Sequence, residues 1–125
     1  MDRKEIEAVI QDYFDAGFES DGPKMRNTIH DSAHIFGHDD EGNLSDMNKD
    51  MFLELVTHGK QNPQDPGYPR QDEIISIDFT SESTAVAIIK IRVETIMFTD
   101  ILSLIKLDGK WWIICKLFSG VAING

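Results

Sequence analysis

Asp100 is the residue of this sequence whose surroundings most clearly predict chemistry. If Asp108-Gly109 and Glu94-Thr95 form hairpin turns, Asp100 lies mid-strand on an apolar sheet face, because paired strand residues share a face. A carboxyl group in such a wall is stabilised in its protonated form and can then donate a hydrogen bond. The alternative is a structural acid that pairs with a neighbouring group. The other residues predicted for this face are Ala85, Ala87, Ile89, Ile91, Phe98, Leu102, Leu104, Trp111, Ile113, Cys115 and Leu117.

Histidines are the usual candidates for metal binding, and the chain has four of them. His34 and His38 would share one face of a short strand, but residues i and i+4 of a strand lie about 13 Å apart. That separation is too large for one metal ion, so we expect no metal site and assign these histidines to structural or pocket-lining roles. The sequence also lacks the glycine-rich fingerprints of nucleotide sites, and we expect no cofactor.

Three helices are predicted in the first half of the chain. Apolar residues recur at three- and four-residue steps from Ile6 to Phe18, which predicts a helix that starts near Asp2 and ends at Ser20-Asp21-Gly22-Pro23. Pro23 suits the first turn of a short second helix. Ser45 is expected to cap a third helix that ends at Gly59. The residues predicted to face inward from this third helix are Met47, Met51, Phe52, Leu55 and Val56.

Strands are predicted in the second half, where the hydrophobic period changes from 3.6 to 2. A proline-bearing loop from Lys60 to Gln71 separates the halves, and a short strand at His34–His38 is expected before it. Helices followed by an antiparallel sheet indicate an α+β fold. The four later strands are predicted at Ile74–Phe79, Ala85–Val93, Ile96–Leu107 and Lys110–Phe118.

The second face of the predicted sheet is too apolar to lie against bulk water. It carries charged side chains as well, such as Lys116 and Arg92, which makes it typical of a protein interface. We therefore predict a homodimer packed through the sheet. The residues expected at its interface are Ile101, Trp112, Ile114 and Phe118.

Composition limits the classes of function that the chain can have. Its 125 residues include 22 acidic and 12 basic ones, for a net charge of −10. A surface this negative repels phosphate backbones and anionic lipids, so we expect neither nucleic-acid nor membrane partners. The length predicts one domain over residues 1–125. No apolar run approaches the roughly 20 residues of a membrane span, and with a single cysteine the sequence predicts a cytoplasmic protein.

Three segments together resemble a known superfamily. They are the Ile10-Gln11-Asp12-Tyr13-Phe14 stretch, the Gly22-Pro23 helix start and the run from Thr99 to Phe118 around Asp108-Gly109. The chain resembles the nuclear transport factor 2-like superfamily, specifically its small bacterial branch labelled putative lumazine-binding. The resemblance implies a cone-shaped, cystatin-like α+β fold with three helices packed in the concave face of a curved, mainly antiparallel sheet. It also implies a pocket at the wide end of the cone and dimers formed through the sheet.

The same superfamily contains ketosteroid isomerases, polyketide cyclases and dehydratases. Tyr13 and Asp100 resemble the pair of hydrogen-bond donors that the isomerases use, and such a pair could stabilise a developing enolate. The isomerases carry a general-base aspartate around the position of Gly37, so His38 or Asp39 would have to act as the base here.

The leading hypothesis is a homodimer that binds a small apolar or aromatic molecule in the cone. One alternative is an isomerase, cyclase or dehydratase type of enzyme that uses Tyr13 and Asp100 as donors. Another is a structural or accessory dimer with no ligand. The residues expected to line the pocket, beside Tyr13 and Asp100, are Phe14, Phe36, Phe52, Phe98 and Trp111.

Overall fold

The computed structural model describes residues 2–58 and 68–123, which form three helices and six strands. Helices precede most of the strands, as the sequence predicts for an α+β fold. Along the chain the elements are α1 (Asp2–Glu19), α2 (Gly22–Arg26), β1 (Ile29–His38), β2 (Leu44–Asn48), α3 (Lys49–His58), β3 (Asp72–Phe79), β4 (Thr84–Val93), β5 (Ile96–Leu107) and β6 (Lys110–Ala122).

The first two helices start and end where local chemistry requires it. Helix α1 buries one apolar stripe that includes Ile6, Ile10 and Tyr13. Ser20 adopts a positive φ of 53°, which a regular helix cannot contain, and the chain turns there. The Asp21 side chain then accepts a hydrogen bond from the Lys24 amide at 3.0 Å and caps α2. Among the described residues, no helix is both long and apolar enough to cross a membrane.

The predicted start of the third helix was wrong. Leu44–Asn48 forms β2, which pairs antiparallel with β1, so Ser45 lies in a strand and caps nothing. Asn48 Oδ1 instead accepts the Met51 amide at 2.9 Å, and α3 begins at Lys49. Met51 is exposed rather than inward-facing. The expected terminator Gly59 and residues 60–67 of the predicted loop lie outside the described residues.

The strands form one curved, open, mixed sheet in the order β2-β1-β6-β5-β4-β3. Strands β1 and β6 run parallel, and all other neighbours are antiparallel. Strand β1 spans Ile29–His38, which is longer than the predicted His34–His38 segment. It pairs with β6, so the first half of the chain is joined to the centre of the sheet.

The register between β4 and β5 is the predicted one, with Ile89 opposite Asp100 and Ala85 opposite Leu104. The register between β5 and β6 starts as predicted, with Leu104 opposite Ile113, but it shifts by one residue at Ser103. Ser103 pairs with Cys115, which leaves Ile114 as the extra residue of a β-bulge. From there on, Asp100 faces Phe118 instead of the predicted Leu117.

The bulge reverses the predicted facing of the residues that follow it. We call the side of the sheet that carries Asp100 and Leu102 the inner face and the opposite side the outer face. Lys116 pairs with Leu102 and is buried on the inner face, whereas Leu117 is 49% exposed on the outer face. Phe118 also points inward, so its predicted place in an outer interface was wrong. Cys115, predicted to lie inward, pairs with Ser103 on the outer face and is half-buried.

Gly37 permits the close approach of strand β1 to Phe118. An added Cβ at Gly37 would lie 2.6 Å from both Cε atoms of the Phe118 ring, well inside van der Waals contact. Gly37→Ala should therefore lower the free energy of unfolding by about 1–3 kcal/mol, as measured by urea denaturation. Gly17→Ala is the matched control, because its Cβ would meet Ile91 at an ordinary 3.8 Å.

The control should lose no stability and can gain up to about 1 kcal/mol from helix propensity. The clash is specific to the ring, so Gly37→Ala should be much less destabilising in a Phe118→Leu background. Equal losses of stability in the two backgrounds would contradict this account.

Candidate functional site

A cavity of about 80 Å³ lies between the helices and the inner face of the sheet. Of the 14 described residues that line it, 11 are apolar side chains or glycine, and three are the polar residues Tyr13, Asp100 and Lys116. The apolar lining comes from every helix and from strands β1, β2, β4, β5 and β6. It includes Met25, Ile35, Met47, Phe52, Val56, Ile91, Phe98 and Phe118.

Each polar residue reaches the cavity for a different local reason. Tyr13 belongs to the buried stripe of α1, one helical turn after Ile10. Asp100 lies in the middle of β5, opposite Ile89 on one side and Phe118 on the other. Lys116 reaches the cavity because the bulge at Ile114 turns it inward.

These three side chains form one hydrogen-bonded network around the Tyr13 hydroxyl. Lys116 Nζ donates to Tyr13 Oη at 2.5 Å, and Tyr13 Oη donates to Asp100 Oδ2 at 3.1 Å. Lys116 Nζ also lies 3.7 Å from Asp100 Oδ2, within ion-pair distance. The hydroxyl thus bridges an amine and a carboxylate that come from neighbouring strands.

The network is almost completely shielded from water. Asp100 is 1% exposed, Tyr13 3% and Lys116 8%. Asp100 Oδ1 is buried and has no hydrogen-bond partner in the described structure. An unsatisfied buried carboxylate oxygen is energetically unfavourable, so this atom is free to accept a hydrogen bond from a bound molecule.

Burial shifts the protonation equilibria of the two groups that flank Asp100. It lowers the pKa of Lys116, because desolvation disfavours the ammonium form, and the nearby Asp100 charge and hydrogen bond only partly oppose this effect. It raises the pKa of Tyr13 well above 10, and the charge and hydrogen bond of Asp100 raise it further. Tyr13 therefore stays neutral over the physiological pH range.

Aromatic rings surround the lysine. Lys116 Nζ lies 4.3 Å from the ring centroid of Phe52, 5.2 Å from that of Tyr13 and 5.8 Å from that of Phe118. These distances are within the range of cation–π attraction, which offsets part of the desolvation of the ammonium group.

The ion pair alters the chemistry expected of Asp100. An acid beside a cation accepts hydrogen bonds, which agrees with the alternative of a structural acid that pairs with a neighbouring group and not with the protonated donor. The Tyr13 hydroxyl already donates its one proton to Asp100. The predicted pairing of these two residues is present, but their hydrogen bond points from the phenol to the acid.

The aromatic residues expected to line a pocket divide into two groups. Phe52 and Phe98 line the cavity, but Phe14, Phe36 and Trp111 do not. Phe14 and Trp111 are buried elsewhere in the core. Phe36 lies on the outer face, where its ring stacks on His34 at 5.7 Å, because β1 turns its neighbour Ile35 inward.

His38 and Asp39, the candidate bases, are exposed and do not line the cavity. His38 Nδ1 lies 3.0 Å from the backbone oxygen of Asp39. Asp39 Oδ1 accepts the amides of Asn43 at 2.8 Å and Glu41 at 2.9 Å, and these hydrogen bonds lower the pKa of its carboxyl group. His38 is thus the last residue of β1 and Asp39 begins the turn to β2, and their catalytic role stays a prediction.

Lys116 is the site residue that sequence reasoning missed. An unbroken hairpin register places it on the outer face, and nothing in the run from Trp111 to Phe118 marks a bulge. The available signal is a lysine flanked on both sides by apolar residues, Cys115 and Leu117. Over residues 2–58 and 68–123, no group of three or more His, Cys, Asp or Glu side chains is arranged to hold a metal ion.

The geometry can be compared with that of known structures. A nuclear transport factor 2-like protein of unknown function from Shewanella baltica OS155 is 24% identical, with a TM-score of 0.86 over 96% of this chain and 94% of that one. One from Methylobacillus flagellatus KT is 29% identical, with a TM-score of 0.76 over 97% and 93% of the two chains. A ketosteroid isomerase-like protein from Erwinia carotovora atroseptica SCRI1043 is 17% identical, with a TM-score of 0.71 over 95% of each chain.

These likenesses agree with the fold predicted from the sequence. No curated protein matches the sequence. The sequence does match the family model described as putative lumazine-binding, over residues 1–119. That match covers nearly the whole chain, and with the shared fold it shows that the chain belongs to the putative lumazine-binding family of the nuclear transport factor 2-like superfamily.

Proposed function

We propose that the protein binds a compact, mainly apolar molecule in the cavity and holds its polar group with Asp100. The unpartnered Oδ1 of Asp100 carries this proposal, because it is a buried acceptor that belongs to a residue lining a mostly apolar cavity. A ligand that donates one hydrogen bond there satisfies the acceptor, while its apolar part replaces water against the rings of Phe52 and Phe98.

The volume of the cavity limits the size of the ligand. One water molecule needs about 10–15 Å³ of such space, so 80 Å³ holds about six water-sized groups. Ligand pockets for drug-sized molecules measure about 300–1,000 Å³. The ligand that fits this conformation is therefore a single ring or a short chain.

The buried ion pair supports a binding role over a purely structural one. Replacing a buried ion pair by apolar side chains of similar volume is often neutral or stabilising for a protein, because the desolvation penalty disappears. Lys116 and Asp100 are thus not needed to hold an otherwise apolar core together. This argument separates the binding hypothesis from the alternative of an accessory dimer with an inert core.

The isomerase-type alternative is supported by one observation, the 3.1 Å hydrogen bond between Tyr13 and Asp100. That chemistry needs a base within hydrogen-bond reach of the substrate, directly or through one water. The candidate bases His38, at the end of β1, and Asp39, in the β1–β2 turn, are exposed and do not line the cavity. Binding without that reaction is therefore the function we favour.

We also propose that two copies of the chain pair through the outer face. Ile101 is 41% exposed there and Leu117 49%, side by side in β5 and β6, and Trp112 and Phe36 lie on the same face. Exposing these four apolar side chains on one sheet face is unfavourable in water. Such a face suits an interface between two identical chains. Phe118 is excluded from this surface, because it faces inward.

The first prediction for binding uses phenol and its near-isostere fluorobenzene as probes. Phenol should bind about tenfold more tightly, because only its hydroxyl donates to Asp100 Oδ1. Affinities are measured by NMR titration of backbone amides. Gly17→Met should abolish binding of both probes, because Gly17 lines the cavity and its Cβ has room toward Ile91. The proposal is wrong if neither probe shifts the resonances of cavity residues in the wild type.

The second prediction separates binding from stability. Lys116→Met leaves the Asp100 carboxylate buried without its cation, so the free energy of unfolding should fall by about 3–5 kcal/mol in urea denaturation. The double variant Asp100→Leu/Lys116→Met should recover most of this loss, yet bind phenol and fluorobenzene equally well.

Lys49→Met is the matched control for this pair. Lys49 is 5% exposed and pairs at 2.9 Å with Asp31, but the Asp31 side chain is 91% exposed, so water can replace the missing ammonium group. Its loss of stability should be much smaller. A double variant as unstable as Lys116→Met would show that the pair is needed for folding.

The third prediction concerns the dimer. Ile101→Glu should raise the dimer dissociation constant at least about a hundredfold, because each interface would bury two copies of the new charge. The dimer dissociation constant is measured by sedimentation equilibrium. Met51→Glu, at a 53% exposed residue of α3, should leave the constant unchanged. A wild-type protein that is monomeric at all accessible concentrations would contradict the proposed dimer.

A further inference from the structure

Lys116 combines three features of a reactive amine: it lines the cavity, it is buried, and it is linked to an acid through a hydroxyl. We propose that Lys116 Nζ forms an imine with a small aldehyde or ketone that enters the cavity. This inference rests on the proposed function, since the carbonyl compound must bind in the same cavity.

The hydrogen bonds provide a route by which the amine becomes neutral. Lys116 Nζ donates to Tyr13 Oη, and Tyr13 Oη donates to Asp100 Oδ2. If the ammonium passes a proton to the hydroxyl while the hydroxyl passes its own to the carboxylate, the result is a neutral amine, an unchanged tyrosine and a carboxylic acid. The exchange replaces two buried charges by none, which an apolar cavity favours more than water does.

The lowered pKa of Lys116 agrees with this route, because burial disfavours the ammonium form. Only a neutral amine has the lone pair that attacks a carbonyl carbon. Lys116 is only 8% exposed, so bulk water does not readily solvate the ammonium form again.

The reaction balances with the groups present. The Nζ lone pair attacks the carbonyl carbon, the carbonyl π electrons move to its oxygen, and one proton moves from nitrogen to that oxygen to give a carbinolamine. The Asp100 carboxylic acid then protonates the hydroxyl group, the C–O bond breaks, and water leaves as the C=N bond forms. The products are a protonated imine on Lys116, the Asp100 carboxylate beside it and one water molecule.

Lys49 provides an internal comparison. It is as buried as Lys116 and also has a carboxylate partner, Asp31, whose Oδ1 lies 2.9 Å from Lys49 Nζ. However, it does not line the cavity, and its partner Asp31 is exposed to water. A general effect of lysine burial would make the two amines equally reactive, whereas the proposal predicts a difference.

The experiment is reductive trapping with butanal, a short-chain aldehyde of the size that the cavity admits. The full-length protein is incubated with butanal and cyanoborohydride, and butylation of each lysine is followed by peptide mass spectrometry. Lys116 should be modified at least about tenfold faster than Lys49. Tyr13→Phe keeps the ion pair but removes the bridging hydroxyl, so it should slow the modification of Lys116 at least about tenfold.

Two further variants distinguish a loss of lysine reactivity from a folding defect. Gly17→Met leaves all three groups of the network in place but fills the cavity, and it should reduce the modification of Lys116 to the rate of Lys49. Lys116→Arg keeps a cation beside Asp100 and should remove the fast-reacting site alone. Circular dichroism verifies that each variant is folded.

The outcomes distinguish this inference from the proposed function. If phenol binds in the cavity but butanal modifies Lys116 no faster than Lys49, the imine proposal is overturned and the binding function stands. If Lys116 reacts equally fast in Gly17→Met, its reactivity does not depend on the cavity, and the imine proposal is again overturned. If phenol does not bind and Lys116 is not preferentially modified, both fail.

Discussion

The extra residue in the last strand, Ile114, is the feature on which the site depends. A sheet has a side-chain period of two, so a shift of one residue exchanges the two faces for every residue that follows. Without the bulge, Lys116 and Phe118 would point outward, and Asp100 would be a lone carboxyl group in an apolar wall. With it, the acid acquires a cation and the cavity acquires an aromatic wall.

The ion pair then sets the polar chemistry of the cavity. Two charges are held nearly free of water, and one oxygen of the acid is left without a partner. Such an arrangement does not arise from packing alone, because apolar residues fill a core at lower electrostatic cost. It gives a small space one strong acceptor, one amine and one hydroxyl that bridges them.

The likeness to the ketosteroid isomerase-like protein is one of fold. The resemblance places the general-base aspartate of the isomerases around Gly37, and here the Phe118 ring occupies the space that any side chain at that position would need. A base at Gly37 and an inward-facing Phe118 therefore exclude each other sterically. The chain has a tyrosine and an acid in contact, and Lys116 lies beside them on the cavity wall.

The sequence by itself determined the α+β class, the three helices, the hairpin turns and the β4–β5 register, because these follow from local periodicity and turn chemistry. It also indicated that Asp100 and Tyr13 face inward. Only the tertiary structure decided the bulge and the short strand β2. It also decided the contacts of Tyr13 with Asp100 and Lys116, which lie 87 and 103 positions further along the chain. Those features depend on how distant segments pack against one another, and no local pattern encodes that packing. Lys116 was missed for this reason: its side of the sheet is set by one unpaired residue, Ile114, that the local sequence does not mark.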